Sequence, residues 1–207
     1  MNRVAGEIAR LDWSKGQGLV PAVVQHAVDG RVLMVGYMNR EALERTLASQ
    51  KVCFYSRSRR RLWVKGETSG HTLRLRSLHV DCDADAVLVL ALPEGPTCHR
   101  GSESCFGDGA EPTFSFLGRL DVLIAARARE RPAGSYTASL FEAGLQRLAQ
   151  KVGEESLETA LAAVTESNER LRNEAADLLF HVTVLLRARG MDLAGIVETL
   201  AQRHARR

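Results

Sequence analysis

Five acidic residues in the last third of the chain have spacings that suit metal-assisted phosphoryl chemistry. Glu154, Glu155 and Glu158 fall within one helical turn, and Glu174 and Asp177, at i, i+3, share a face of the next helical stretch, with His181 a further turn along. Like charges at this spacing weaken a bare helix. A divalent cation bridging both sets, brought together on antiparallel neighbours, is the natural compensation. Two alanines follow Glu174 and Leu178-Leu179-Phe180 follow Asp177, which puts this pair beside an apolar seam where acids need partners. Magnesium held there would grip a triphosphate and activate water for attack on phosphorus, with Lys151 balancing charge or touching a phosphate. A solvent-facing acidic patch is the plainer reading of either cluster taken alone.

The first half offers a second chemistry. Asp81-Cys82-Asp83-Ala84-Asp85 alternates carboxylates, so an extended backbone would turn Asp81, Asp83 and Asp85 to one face and Cys82 to the other. Hard oxygens suit magnesium and soft thiolates suit zinc. A calcium loop of the EF-hand kind fails, because Ala86 stands where its glycine belongs and Leu92 where its glutamate belongs. Cys98 and Cys105 lie in a Gly- and Ser-rich loop and, with Cys82, offer three thiolates. Three would leave a catalytic position open, whereas His99 or Cys53 as a fourth would make the site structural. Spacing alone leaves zinc and plain loop thiols as equal readings. The arginine run 57–61 reads as a nucleic-acid patch, an anion clamp for a phosphate or a solvated loop. In the small-residue loop 66–71, Glu67 and His71 can move protons, although a simple turn with a structural histidine explains the same residues.

These residues need elements to hold them. In residues 1–107, Val- and Leu-rich stretches at 19–27 and 31–37 flank an Asp29-Gly30 turn, Asn39 caps a helix over 40–50, and strands follow at 52–55, 62–65, 72–76 and 86–92. The apolar stripe of that helix reads as Ala42, Leu43, Leu47 and Ala48. After Gly107-Asp108-Gly109 and Pro112 the periodicity becomes helical. Four helices are expected over 114–129, 139–164, 175–189 (led by Asn168 or Asn173) and 192–205. The expected architecture is two domains: a mostly-β domain with one helix and a metal site over 1–108, and an all-α bundle over 109–207.

Composition narrows the function. A chain of 207 residues with 45% hydrophobic and 26% charged side chains is ordinary globular protein. Residues 1–107 carry 15 basic and 11 acidic side chains and the remainder 13 and 14, short of the basic excess of a dedicated nucleic-acid binder. The longest apolar run, 86–92, is far too short to span a bilayer, and the first 13 residues lack a secretory pattern, so a cytoplasmic location is expected.

Across residues 19–203 the chain resembles the fused bacterial enzymes of histidine biosynthesis that are both phosphoribosyl-AMP cyclohydrolase and phosphoribosyl-ATP pyrophosphatase. In the first half the resemblance rests on Gly36-Tyr37-Met38-Asn39, Tyr55-Ser56-Arg57-Ser58, Leu62-Trp63-Val64-Lys65-Gly66-Glu67-Thr68-Ser69-Gly70-His71, Asp81-Cys82-Asp83-Ala84-Asp85, Cys98-His99 and Ser104-Cys105-Phe106. In the second it rests on Ser135-Tyr136-Thr137, Gln150-Lys151-Val152-Gly153-Glu154-Glu155 and Glu174-Ala175-Ala176-Asp177-Leu178-Leu179-Phe180-His181. Arg100-Gly101 stands where many cyclohydrolases have Thr-Gly.

The resemblance implies zinc on Cys82, Cys98 and Cys105, shared between two chains of a homodimer, and magnesium near Asp81, Asp83 and Asp85. In the helical half it implies the E-E-x-x-E and E-x-x-D signature of nucleotide pyrophosphohydrolases, met by Glu154, Glu155, Glu158, Glu174 and Asp177. Phosphoribosyl-ATP would lose pyrophosphate there, and the phosphoribosyl-AMP formed would be opened between N1 and C6 by zinc-activated water. His71 or Glu67 would serve as base, and Arg57, Arg59, Lys65, Ser69 and Lys151 would bind substrate. Two rivals remain distinct by behaviour. An RNA-binding adaptor would release no pyrophosphate and would bind with steep salt dependence. A general pyrophosphohydrolase with a regulatory first half would cleave ordinary triphosphates comparably well.

Overall fold

Branched aliphatic residues dominate β1 (Val20–His26) and β2 (Val32–Met38), which pair antiparallel, and the turn between them closes through Gly30 at φ +75°. This is a computed structural model, and it describes residues 8–107 and 112–205. Asn39 accepts from the Ala42 N–H at 2.8 Å and starts α1 (Arg40–Ser49). β3 (Cys53–Ser56) and β4 (Arg61–Val64) form a separate hairpin; β5 (Leu73–Val80) and β6 (Val87–Pro93) complete a four-stranded sheet of order β2-β1-β6-β5, in which only β1 and β6 run parallel.

Alternation decides the core. Val20, Ala22 and Val24 of β1 and Val87, Val89 and Ala91 of β6 are buried on one face. β5 extends four residues past the expected 72–76 segment, because a register shift between Leu75 and Ser77 moves the buried side chains from Leu73 and Leu75 to Leu78. In α1 the buried stripe is Ala42, Leu43 and Thr46, with Ala48 exposed. Thr46 takes that place because its hydroxyl accepts from the Cys53 N–H at 2.9 Å and donates to the Ala42 carbonyl at 2.8 Å.

Five helices follow: α2 (Ser115–Glu130), α3 (Tyr136–Glu142), α4 (Gly144–Thr165), α5 (Asn168–Ala188) and α6 (Leu193–Ala205). The single helix expected over 139–164 is two, since Gly144 takes φ +82° at the junction and Ser135 caps a separate short helix. The third expected helix starts at Asn168, with Ser167 rather than Asn168 or Asn173 as its cap. α4 and α5 form an antiparallel hairpin around Ile124, Leu140, Leu148 and Val184. Buried Asp121 accepts two hydrogen bonds from Arg187 at 2.6 Å each and one from the Leu193 N–H at 3.2 Å, joining α2, α5 and the start of α6.

The chain divides between Ser115 and Phe116 into two compact units, while the expected cut at 108/109 lies outside the described residues. No helix among the described residues is long and apolar enough to cross a membrane.

Candidate metal and substrate centres

In the first unit, β6 separates two groups of candidate ligands. At its start, residues 81–86 form a turn, not the extended stretch expected, because Ala84 takes φ +64°. The Asp81 carboxylate accepts from the Asp85 and Ala86 N–H groups at 3.0 Å each. The Ala86 bond, joined by that from Asp85, holds its pKa below the ordinary carboxylate value against some desolvation. One oxygen from each of Asp81, Asp83 and Asp85 lies within 4.8 Å of the others, so the turn gathers what alternation was expected to gather. Lys15 reaches the same group, with Nζ 3.3 Å from Asp83 and 3.4 Å from Asp85. Cys82 is exposed beside Asp83.

Beyond the end of β6 lies the loop that carries Cys98 and Cys105. It is tied back to β2 by the Cys105 N–H to Leu33 carbonyl bond at 2.8 Å and by Ser104 Oγ to the Val32 carbonyl at 2.8 Å. The Cys98 and Cys105 thiols influence each other's protonation. The Arg100 N–H, with Ser102, draws the Cys98 pKa down, while burial and the neighbouring Cys98 push Cys105 up. Lys65 faces both thiols, and burial lowers its pKa. Cys53 is fully buried in the core, which removes it as a fourth ligand.

A cleft of about 460 Å³ opens here, lined among others by Arg59, Lys65, Glu67, Ser69, Cys98 and His99. Arg59 and Trp63 also line an adjoining cleft of about 360 Å³ with Ser56, Ser58 and Arg61. Arg57 instead stacks on Tyr37, its guanidinium carbon 3.7 Å from the ring centre. Glu67 accepts from the Val64 N–H at 3.1 Å, fixing the turn after β4. His71 packs its ring against Gly95, where an added Cβ would stand 2.6 Å from the ring.

In the second unit, carboxylate oxygens of Glu155 and Glu158 on α4 and Glu174 on α5 lie within 4.8 Å of one another, with Glu155 and Glu174 buried. The other two expected members stand apart. Glu154 is taken up by Arg147 at 3.1 Å and Lys151 at 3.0 Å, and Lys151 holds its pKa down. Asp177 is exposed one turn beyond Glu174. Lys151 also contacts Glu155 at 3.1 Å, and Arg170 contacts Glu174 at 2.6 Å.

Three residues without an expected role, His181, Tyr136 and Arg170, complete this centre. Buried His181 places Nδ1 2.9 Å from the Asp177 carbonyl and 3.5 Å from Glu155, and Nε2 3.1 Å from the Tyr136 hydroxyl. A carbonyl only accepts, so Nδ1 carries a proton, and in the neutral ring Nε2 accepts from Tyr136. Arg170 was readable from its i, i+4 spacing to Glu174. Lys15, 68 residues from Asp83, carries no sequence signal of its contact.

Residues 34–107 match the family model of phosphoribosyl-AMP cyclohydrolase, and residues 117–204 that of phosphoribosyl-ATP pyrophosphohydrolase. The chain is 59% identical over 194 residues to the histidine biosynthesis bifunctional protein HisIE of Xylella fastidiosa, covering 94% of this chain and 93% of that one. It is 55% identical to the protein of the same name from Escherichia coli K12, over 94% and 95% of the two chains. With the Shewanella oneidensis protein it shares 55% over 96% and 93%.

Proposed function

Since the chain belongs to the bifunctional histidine-biosynthesis family that joins a phosphoribosyl-AMP cyclohydrolase to a phosphoribosyl-ATP pyrophosphohydrolase, we propose that its second unit performs the pyrophosphohydrolase step and its first unit the cyclohydrolase step. The protein is a hydrolase with both activities, and the adaptor reading falls away. The observation that carries the division is that each matched stretch encloses its own candidate centre, sulfur and carboxylate in one and carboxylate alone in the other.

In the helical unit, Glu155, Glu158 and Glu174 fit magnesium, being hard oxygen donors from two facing helices, with Asp177 one turn beyond Glu174 on the same helix. Bound there, magnesium supplies charge neutralisation for the phosphates and an activated water. Lys151, steadied by Glu154, offers its ammonium to a phosphate. His181 keeps Glu155 oriented.

In the first unit, Asp81, Asp83 and Asp85 fit magnesium by the same donor chemistry, and Cys82, Cys98 and Cys105 fit zinc. Zinc supplies a Lewis acid and an acidified water for opening phosphoribosyl-AMP between N1 and C6. The ligand clusters found within one chain among the described residues are of carboxylates alone, and the three thiols do not form one. A three-thiolate site would therefore draw Cys82 from a second chain, which supports a homodimer. Exposed Leu157, Leu161 and Val164, at i, i+4, i+7 on α4, give a second chain further apolar surface to cover. Arg59, Lys65 and Ser69 line the cleft and would bind substrate phosphate and ribose, while Arg57, stacked on Tyr37, would have to leave that ring to join them. Of the two candidate bases, Glu67 lies in the cleft wall, and His71 packs its ring against Gly95. Four free thiols and the absence of a crossing helix among the described residues suit a cytoplasmic enzyme.

The test supplies phosphoribosyl-ATP with magnesium and zinc and follows pyrophosphate release and ring opening separately. Glu155→Ala should abolish the first step and spare ring opening of supplied phosphoribosyl-AMP; Cys98→Ala should do the reverse. Loss of both steps in both variants, with unaltered circular dichroism, would refute the two-centre assignment.

A further inference from the structure

We propose that Lys15 is a tethered counter-ion of the aspartate turn, drawing on the same carboxylates as the divalent cation and so setting the cation concentration at which that centre fills. The inference rests on the reading of Asp81, Asp83 and Asp85 as a magnesium site. Lys15 Nζ lies 2.7 Å from the Asp83 carbonyl, 3.3 Å from Asp83 Oδ2 and 3.4 Å from Asp85 Oδ2. An ammonium has three protons to donate, and three acceptors surround this one.

The segment bearing Lys15 is docked on the turn rather than swept over it. The Asp12 N–H donates to the Ala84 carbonyl at 2.7 Å, backbone to backbone. Trp13 packs on the sheet core beneath the guanidinium of Arg40. The Asp12 side chain accepts from the Ser14 N–H at 3.0 Å, and the Gly18 N–H donates to the Trp13 carbonyl at 2.7 Å, so the loop is closed on itself around Lys15. Its ammonium is thereby delivered to the carboxylates by a shaped backbone.

A hard divalent ion needs those same oxygens, and a positive charge a few ångströms away repels it. The two cations compete. Lys15 lies before residue 34, where the cyclohydrolase match begins, so the competing charge comes from a segment outside the matched stretch. That segment supplies no ligand, yet it sets the threshold for occupancy.

The experiment titrates Mn²⁺ into the full chain and reads free ion by electron paramagnetic resonance, with Glu155→Gln and Glu174→Gln present to silence the helical centre. Lys15→Met should tighten binding about tenfold, and Lys15→Arg, which keeps the charge, should return most of the wild-type value. Unchanged or weaker binding in Lys15→Met, with an unaltered circular dichroism spectrum, would overturn the inference and make Lys15 a prop for the turn. If Asp83→Asn with Asp85→Asn leaves Mn²⁺ binding unchanged while Lys15 is intact, the site reading itself fails, and the inference with it.

Discussion

The two carboxylate centres meet the same electrostatic demand by different means. The aspartate centre is built within five residues of a single turn, held by backbone N–H groups donating to Asp81 and lying partly open to water. The glutamate centre is assembled from two helices, with Glu155 and Glu174 buried and each given a cation, Lys151 and Arg170. A turn keeps its geometry so long as its own hydrogen bonds survive. A site shared by two helices exists only while those helices stay packed, so the second centre should be more sensitive to distant changes and more powerful where water is excluded.

The largest expected effect exploits that contrast. Glu174→Gln removes one of the two buried charges of a three-carboxylate group, and pyrophosphate release should fall by about a thousandfold, the equivalent of several kcal/mol of charge stabilisation. Asp83→Asn leaves two carboxylates on an intact, solvated turn, and ring opening should fall by about tenfold, less than the helical centre because water screens the loss. Steady-state assays of each step measure both. Equal losses would erase the distinction between the centres.

The same contrast explains what could be read from the chain. The aspartate turn is legible because its carboxylates are contiguous, although alternation suggests a strand; Ala84 in a left-handed conformation is a tertiary outcome that the pattern does not announce. Glu155, Glu158 and Glu174 were legible from helical spacing, but adjacent Glu154 points about 100° away around the helix and spends its charge on Arg147 and Lys151. The break at Gly144 was hidden inside an apolar period that continues on both sides of it. Ser167 stands near asparagines of equal capping propensity, so the pattern does not single it out. Lys15 and the Tyr136–His181 contact depend on partners 68 and 45 residues away, which no local pattern encodes.

The dependence of the helical centre on packing gives the next prediction. Arg187→Met leaves Asp121 buried without its two-bond partner, and breaking such a pair costs about 3 kcal/mol. Urea unfolding should show the loss. Pyrophosphate release should fall with it, because α5 carries both Arg187 and Glu174, while ring opening in the other unit should hold. Retained pyrophosphate release would show that the hairpin of α4 and α5 positions its carboxylates without α2.

Asp29 offers the counterpart in the first unit. Burial alone would raise its pKa, but the neighbouring His26 ring and the hydrogen bonds from Arg31 hold it well below the ordinary carboxylate value. A depressed folded-state pKa contributes stability above the unfolded value of about 4, and that contribution is lost as pH falls through the folded value. Wild type should therefore exceed Asp29→Asn in stability at pH 7, with the gap narrowing steadily below about pH 4. Thermal melts across that range measure it, and a gap that widens on acidification would reverse the assignment.

The smallest effect tests where the helical centre's rigidity originates. Ser167 caps α5 by accepting from the Arg170 N–H at 3.2 Å, and Ser167→Ala should cost about 1 kcal/mol. Fraying concentrates in the first turn, whereas Glu174 lies about two turns in and is buried against α4. The variant should melt at a lower temperature yet release pyrophosphate at nearly the wild-type rate. The first turn does carry Arg170, the partner of Glu174, so any kinetic effect should be a modest rise in the magnesium needed for half-saturation or none, and not a fall in turnover. A large fall in turnover would mean that the carboxylates are held by the helix end rather than by packing between α4 and α5, and the contrast with the self-contained turn would lose its physical basis.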